Sequence, residues 1–155
     1  MKAKFSALLF FVTLGFFVTA QKIPATKVPP NVMSMFNMKF PGAEKISWEM
    51  ENKKEYEATF TWKGIEQSST FDENGKWLET GVEIKFSELP IEVQQAVNKQ
   101  FAGWKISEIG KVNHAIYGLV FEIEAQKGKE EYDLVISKKG EVISKEKTGD
   151  DEDKD

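Results

Sequence analysis

The chain has no cysteine, no arginine and a single histidine in 155 residues. Without cysteine there is no disulfide framework, no thiolate nucleophile and no thiolate metal ligand, so stability must come from packing alone. Every one of the 21 basic residues is lysine. The planar fork that reads phosphates and guanine edges is therefore missing, which disfavours nucleic acid as a partner. His114 sits in "GKVNHAIY" between expected strands. A nucleophilic site would need a positioned base, an orienting partner and an oxyanion hole around it, and a zinc site would have to be completed by carboxylates. His114 is read as a surface residue, and no catalytic residue, metal ligand or cofactor is expected. The stretch "DENG" lacks the spaced ligand series of a calcium loop. Glutamates such as Glu55, Glu57 and Glu79 are plentiful, but nothing singles out two of them as a glycosidase pair.

The first twenty residues carry a different signal. Lys2 and Lys4 precede an apolar run from Phe5 to Ala20, and Val18-Thr19-Ala20 stands before Gln21. That pattern is a secretory signal peptide, 1–20, cleaved after Ala20; the run is shorter than the roughly 20 residues a membrane span needs. No cysteine follows it, so a lipoprotein anchor is excluded. The mature protein is expected to be soluble and exported, periplasmic or secreted, with no membrane span after cleavage. Loss of Lys2 and Lys4 takes the formal charge from −4 to −6. The remaining length suffices for one compact domain or two small coupled halves.

The chain also repeats itself. "MKFPGAEKISW" from Met38 is echoed by "KQFAGWKISEI" from Lys99. An offset of 61 carries Pro29 to Pro90, Val32 to Val93, Phe36 to Val97, Phe40 to Phe101 and Gly42 to Gly103, then Tyr56 to Tyr117 and Phe60 to Phe121. Gly75 matches Gly140 at an offset of 65, so the second copy carries about four extra residues, assigned to the charged stretch "EAQKGKEE". Each copy opens with a helix: Val32, Met35, Phe36 and Phe40, and again Val93, Ala96, Val97 and Phe101, form one apolar stripe. Pro30 and Pro90 suit a first turn, and Gly42 and Gly103 suit a left-handed cap.

Strands follow each helix. Tyr56, Ala58, Phe60 and Trp62 alternate with polar residues, as a half-buried strand does. Asn74-Gly75 reads as a two-residue type I′ hairpin turn. That register places Phe71 opposite Leu78 and Ile136 opposite Ile143. It also puts Leu78, Val82, Ile84 and Phe86 on the helix-covered face and Trp77 on the other face with Asp72 and Glu79. Trp48 is expected in the core, opposite Tyr56 across a three-residue turn at Glu51–Lys53. The charged end from Lys145, "KEKTGDDEDKD", has nothing to bury and reads as a disordered acidic tail.

The segments "VPPNVMSMFNMKFPGAEKISWE", "YEATF", "FDENGKWLET" and "LPIEVQQAV", in this order, resemble the PepSY-like, β-lactamase-inhibitor-like family of exported bacterial proteins. The resemblance covers about Val28 to Ser144. It implies a helix packed on a four-stranded antiparallel sheet in each half and an exported setting. No inhibitory residue can be carried over, and Val142 stands where the second copy would match Trp77.

The fold expected is therefore α+β, two tandem repeats, each a helix on a roughly four-stranded antiparallel sheet. The layout is a linker at 21–27, repeats at 28–86 and 87–144, and the tail at 145–155. The function expected is a noncatalytic exported binding module that docks a protein or peptide of the cell envelope on its outer sheet face around Thr70, Asp72, Trp77 and Glu79. Inhibition of an exported enzyme is one form of that function. A small-ligand or cation-binding protein using its acidic surface and tail is the alternative.

Overall fold

The computed structural model of the chain describes residues 21–147. The expected signal peptide and residues 148–155 of the expected tail lie outside the described residues. Among the described residues no helix is long and apolar enough to cross a membrane. In chain order the elements are β1 (Gln21–Ile23), α1 (Pro30–Lys39), β2 (Glu44–Asn52), β3 (Glu55–Trp62), β4 (Ile65–Asp72), β5 (Trp77–Glu83), α2 (Ile91–Gln100), β6 (Lys105–His114), β7 (Gly118–Lys127), β8 (Glu130–Ser137) and β9 (Val142–Lys147). Short 3-10 helices, Ala25–Lys27 and Phe86–Glu88, lead into α1 and α2.

The α+β class is as expected, but the strands form one nine-stranded antiparallel sheet in chain order, not a separate sheet for each repeat. In the first unit Thr80 and Gly81 of β5 pair with Ser69 and Ser68 of β4, and in the second unit Ile84 donates its N–H to the Ile109 carbonyl. Two boundaries also move. The expected linker at 21–27 forms β1 and a 3-10 turn, and Lys145–Lys147, expected as tail, complete β9. The chain divides after Val82 into two compact units.

In the first unit Pro30 opens α1 where its missing N–H has no helical partner to lose. The stripe Val32, Phe36 and Phe40 is buried against Trp48, Ala58, Phe60 and Phe71 of the sheet. Phe36 is the hub, its ring 4.9 Å from that of Phe60 and 5.2 Å from that of Trp48, both edge-on. Each such ring contributes about 1.5–3 kcal/mol by leaving water. Trp48 is in the core, as expected, by a different register. It lies opposite Ala58, Met50 lies opposite Tyr56, and the strands turn between Asn52 and Glu55. Lys63 and Gly64 both take positive φ, 52° and 77°, and make the two-residue turn between β3 and β4.

The turn between β4 and β5 departs from expectation. Asn74 does not have positive φ; only Gly75 does, at 79°. Gly75 donates its N–H to the Asp72 carbonyl and Asp72 donates its N–H to the Lys76 carbonyl, each at 2.9 Å. The Asp72 carboxylate accepts from the N–H groups of Asn74 and Lys76, at 2.9 and 2.8 Å. These bonds make a longer connection with a glycine bulge, and the register shifts by one residue between Thr70 and Phe71. Phe71 then faces Trp77 and not Leu78.

The second unit repeats this plan. Val93, Val97 and Phe101 of α2 pack on Ile109, Phe121, Ile123, Leu134 and Ile136. The same bulge recurs, so Ile136 faces Val142 and not Ile143. The pairing also corrects the alignment of the copies. Trp48 faces Ala58 and Ile109 faces Ile123, while Tyr56 faces Phe71 and Phe121 faces Ile136. The offset is thus 61 up to Ile109 and already 65 by Phe121, so Tyr56 corresponds to Phe121, not to Tyr117. The extra residues lie in the β6–β7 hairpin, which turns between His114 and Gly118, and not in "EAQKGKEE".

Candidate functional site

One face of the sheet in each unit carries the helix, and the outer face holds carboxylates and hydroxyls together with, in the second unit, the buried Val112, Val120 and Val135. In the first unit the register sets Lys22, Glu49, Glu57, Thr70 and Glu79 side by side across β1 to β5. Glu57 and Thr70 are buried. Burial, with the Glu55 carboxylate adding to it, pushes the Glu79 carboxyl up to about 7.

Of the four residues expected to form a docking patch, Thr70 and Glu79 are indeed neighbours on this outer face. Asp72 is on the adjacent row, opposite Glu55, with one carboxylate oxygen engaged in the turn. Trp77 is on the other face. It packs against the helix-side core, donates its Nε1–H to Thr80 Oγ1 at 2.8 Å and lies under the Lys39 ammonium, 4.0 Å from the ring centroid. The bulge that moved the register by one residue is the reason, since a single-residue slip exchanges the faces of a strand.

The second unit holds the more pronounced feature. Glu108 faces Glu124, Glu124 faces Asp133, and Asp133 faces Glu146, which makes an unbroken transverse row of carboxylates across β6, β7, β8 and β9. Like charges directly opposite on neighbouring strands destabilise a sheet. Burial first, then Glu124, Glu83 and Asp133, raises the Glu108 carboxyl to about 7. Burial first, then Glu124, Glu131 and Glu146, raises that of Asp133 to about 7. Glu131 is raised as well, by burial and by Glu124. Ser107 donates its hydroxyl to the Glu124 carboxylate, whereas the buried Oδ1 of Asp133 has no hydrogen-bond partner. The arrangement is a strip of carboxylates in which Glu108 and Asp133 hold their protons up to about pH 7. Sequence reasoning missed it, although the period-two placement of Glu122 and Glu124 among Phe121, Ile123 and Ala125 was a visible signal. The cross-strand pairing was not.

His114, at the end of β6, does structural work. Its Nδ1 accepts the N–H groups of Ile116 and Tyr117 at 3.0 and 3.2 Å, its ring stacks on that of Tyr117 at 4.7 Å, and burial lowers its pKa. The neutral form is the one that can accept at Nδ1, so the imidazole orders the hairpin tip. Among the described residues no group of three or more His, Asp or Glu side chains is arranged to hold a metal ion.

The class of protein defined by these features is a helix-backed antiparallel sheet with an acidic outer face, built twice in one chain. The chain belongs to the PepSY-like family, described as "Putative beta-lactamase-inhibitor-like, PepSY-like", whose model matches residues 17–66 and 54–144. Its fold is similar to that of a BLIP-like protein from Bacteroides fragilis. The two are 22% identical with a TM-score of 0.68, over 86% of this chain and 93% of that one. A protein from Bacteroides eggerthii described as a "putative periplasmic" protein is 21% identical, with a TM-score of 0.67, over 77% of this chain and 88% of that one. A DUF2874 family protein from Bacteroides ovatus is 22% identical, with a TM-score of 0.67, over 77% and 87%. No curated protein matches the chain.

Proposed function

We propose that the protein is a noncatalytic, exported binding module of the cell envelope that docks a protein or peptide on its outer sheet face, and that the docked segment is rich in lysine or arginine. The observation that carries this reading is the row Glu108, Glu124, Asp133 and Glu146, placed directly opposite one another on adjacent strands. Such a row costs stability when empty, and a cationic partner offsets the cost. In the first unit Glu49 stands on the outer face, while Glu57 and Thr70 beside it are buried and belong to the scaffold in this reading. Trp77 and Asp72 serve the scaffold in this reading. The family description supports the noncatalytic character, and the "putative periplasmic" relative supports the exported location. Inhibition of an exported enzyme is one form of the function, in which the basic segment belongs to that enzyme.

The direct test is calorimetric titration with a lysine-rich peptide at low and high salt. Binding that weakens with salt and is lost in the Glu124→Gln, Asp133→Asn double variant supports the reading. No binding, or binding indifferent to the double substitution, overturns it. The inhibitory form fails separately if a panel of periplasmic hydrolases and peptidases shows unchanged rates at saturating protein. The exported location predicts a mature form that begins at Gln21 in the periplasmic or extracellular fraction, read by terminal sequencing.

A further inference from the structure

A groove of about 500 Å³ opens in the second unit, lined by Glu83 to Phe86, by Asn98 of α2 and by the start of β6. One wall is apolar: Ile84, Phe86 and Ile106, which pack on the core behind them. Glu83 and Glu108 line it as well, and the Glu83 carboxylate is one of the charges that disfavour ionisation of Glu108. The bulge in β6 creates this mixed lining. In a regular strand Ile106 and Glu108 would share a face. The register shift between them leaves Ile106 opposite the core residue Ala125 and Glu108 opposite Glu124, so apolar wall and anionic row meet at the same opening.

We infer that this groove receives a lysine or arginine side chain of the docked partner, with the apolar stem along Ile84, Phe86 and Ile106 and the cationic head between Glu83 and Glu108. Long cationic side chains bury their methylenes on apolar surface and keep the head at a polar site, and this groove offers both. Two carboxylates without a cation between them repel, and the head of the incoming side chain removes that repulsion. The inference rests on the proposed docking of a basic partner. Lys85, which also lines the groove, is the internal competitor for the same carboxylates.

The probe is N-acetyl-lysine N-methylamide, followed by two-dimensional 1H–15N NMR on the uniformly labelled protein at pH 7.5 and low salt. Its norleucine counterpart, which has the stem without the charge, is the control. Saturable shifts at Ile84, Phe86 and Ile106–Ile109 with the lysine compound are expected. They should be weaker by about tenfold, the factor roughly 1.4 kcal/mol represents, in Glu108→Gln, and tighter in Lys85→Ala. The inference is overturned if the norleucine compound shifts the same residues equally, if Glu108→Gln leaves the affinity unchanged, or if no groove residue responds. Should the lysine-rich peptide bind while the groove stays silent, the groove fails and the docking face stands. Should neither bind, both fail.

Discussion

At Trp77 the ring and its N–H are committed within the fold, to the core, to Thr80 and to the Lys39 ammonium. Trp77→Ala should therefore cost about 2–4 kcal/mol of stability, less than a fully buried ring because part of the side chain remains accessible. Urea denaturation measures this, and affinity for a lysine-rich peptide should be unaffected. At Glu108 and Asp133 the consequence is a pH dependence. Their folded pKa values of about 7 lie above the ordinary 4.5 and 3.8, so the folded state binds their protons more tightly than the unfolded state. Their contribution to stability is complete below the ordinary values and is lost as pH rises through about 7. The melting temperature should accordingly fall between pH 5 and pH 8, and the fall should flatten in a Glu108→Gln, Asp133→Asn variant, as thermal scans across that range will read. Residue by residue, the sequence was legible wherever an apolar period decided the matter, as for Phe36 and Trp48. It was not legible at Trp77, because one bulge exchanges the faces of a strand without changing its composition.

At the scale of elements, both units dock the turn of a hairpin on the first turn of their helix. A Cβ at Gly75 would lie 2.7 Å from the Asn31 carbonyl oxygen, and one at Gly140 would lie 2.6 Å from that of Glu92, both glycines having positive φ. Asn31 adds a hydrogen bond from its side-chain amide to the Glu73 carbonyl. Gly75→Ala and Gly140→Ala should each destabilise by about 2–4 kcal/mol, through left-handed strain plus collision with backbone. Gly103→Ala, where nothing lies within 4 Å of the added atom, should cost about 1 kcal/mol from strain alone. Chemical denaturation of the three variants orders them. The helices were legible in the sequence because their stripe and their caps coincide at one offset. The β6–β7 hairpin was not: the tyrosines Tyr56 and Tyr117 match by residue type, while the pairing of Phe121 with Ile136 sets the true correspondence. Local likeness between copies carries no information about which hairpin absorbed the insertion.

For the whole molecule, the proposed docking of a basic segment would tie stability to ligand. A lysine-rich peptide that binds only the folded state must raise the melting temperature, and the rise should be larger at pH 8, where Glu108 and Asp133 are ionised, than at pH 5.5, where they hold their protons. Differential scanning calorimetry at the two pH values checks this; an equal rise at both would separate the binding from the carboxylate row. By itself the sequence determined the α+β class, the twofold repetition, the helix stripes and the reliance on packing in a chain without cysteine, because these depend on composition and on short periods along the chain. Only the tertiary structure decided which strand faces which. The face of Trp77 and the alignment of four carboxylates across four strands both follow from hydrogen-bond register. Register is a relation between segments distant in sequence, and a single bulge resets it.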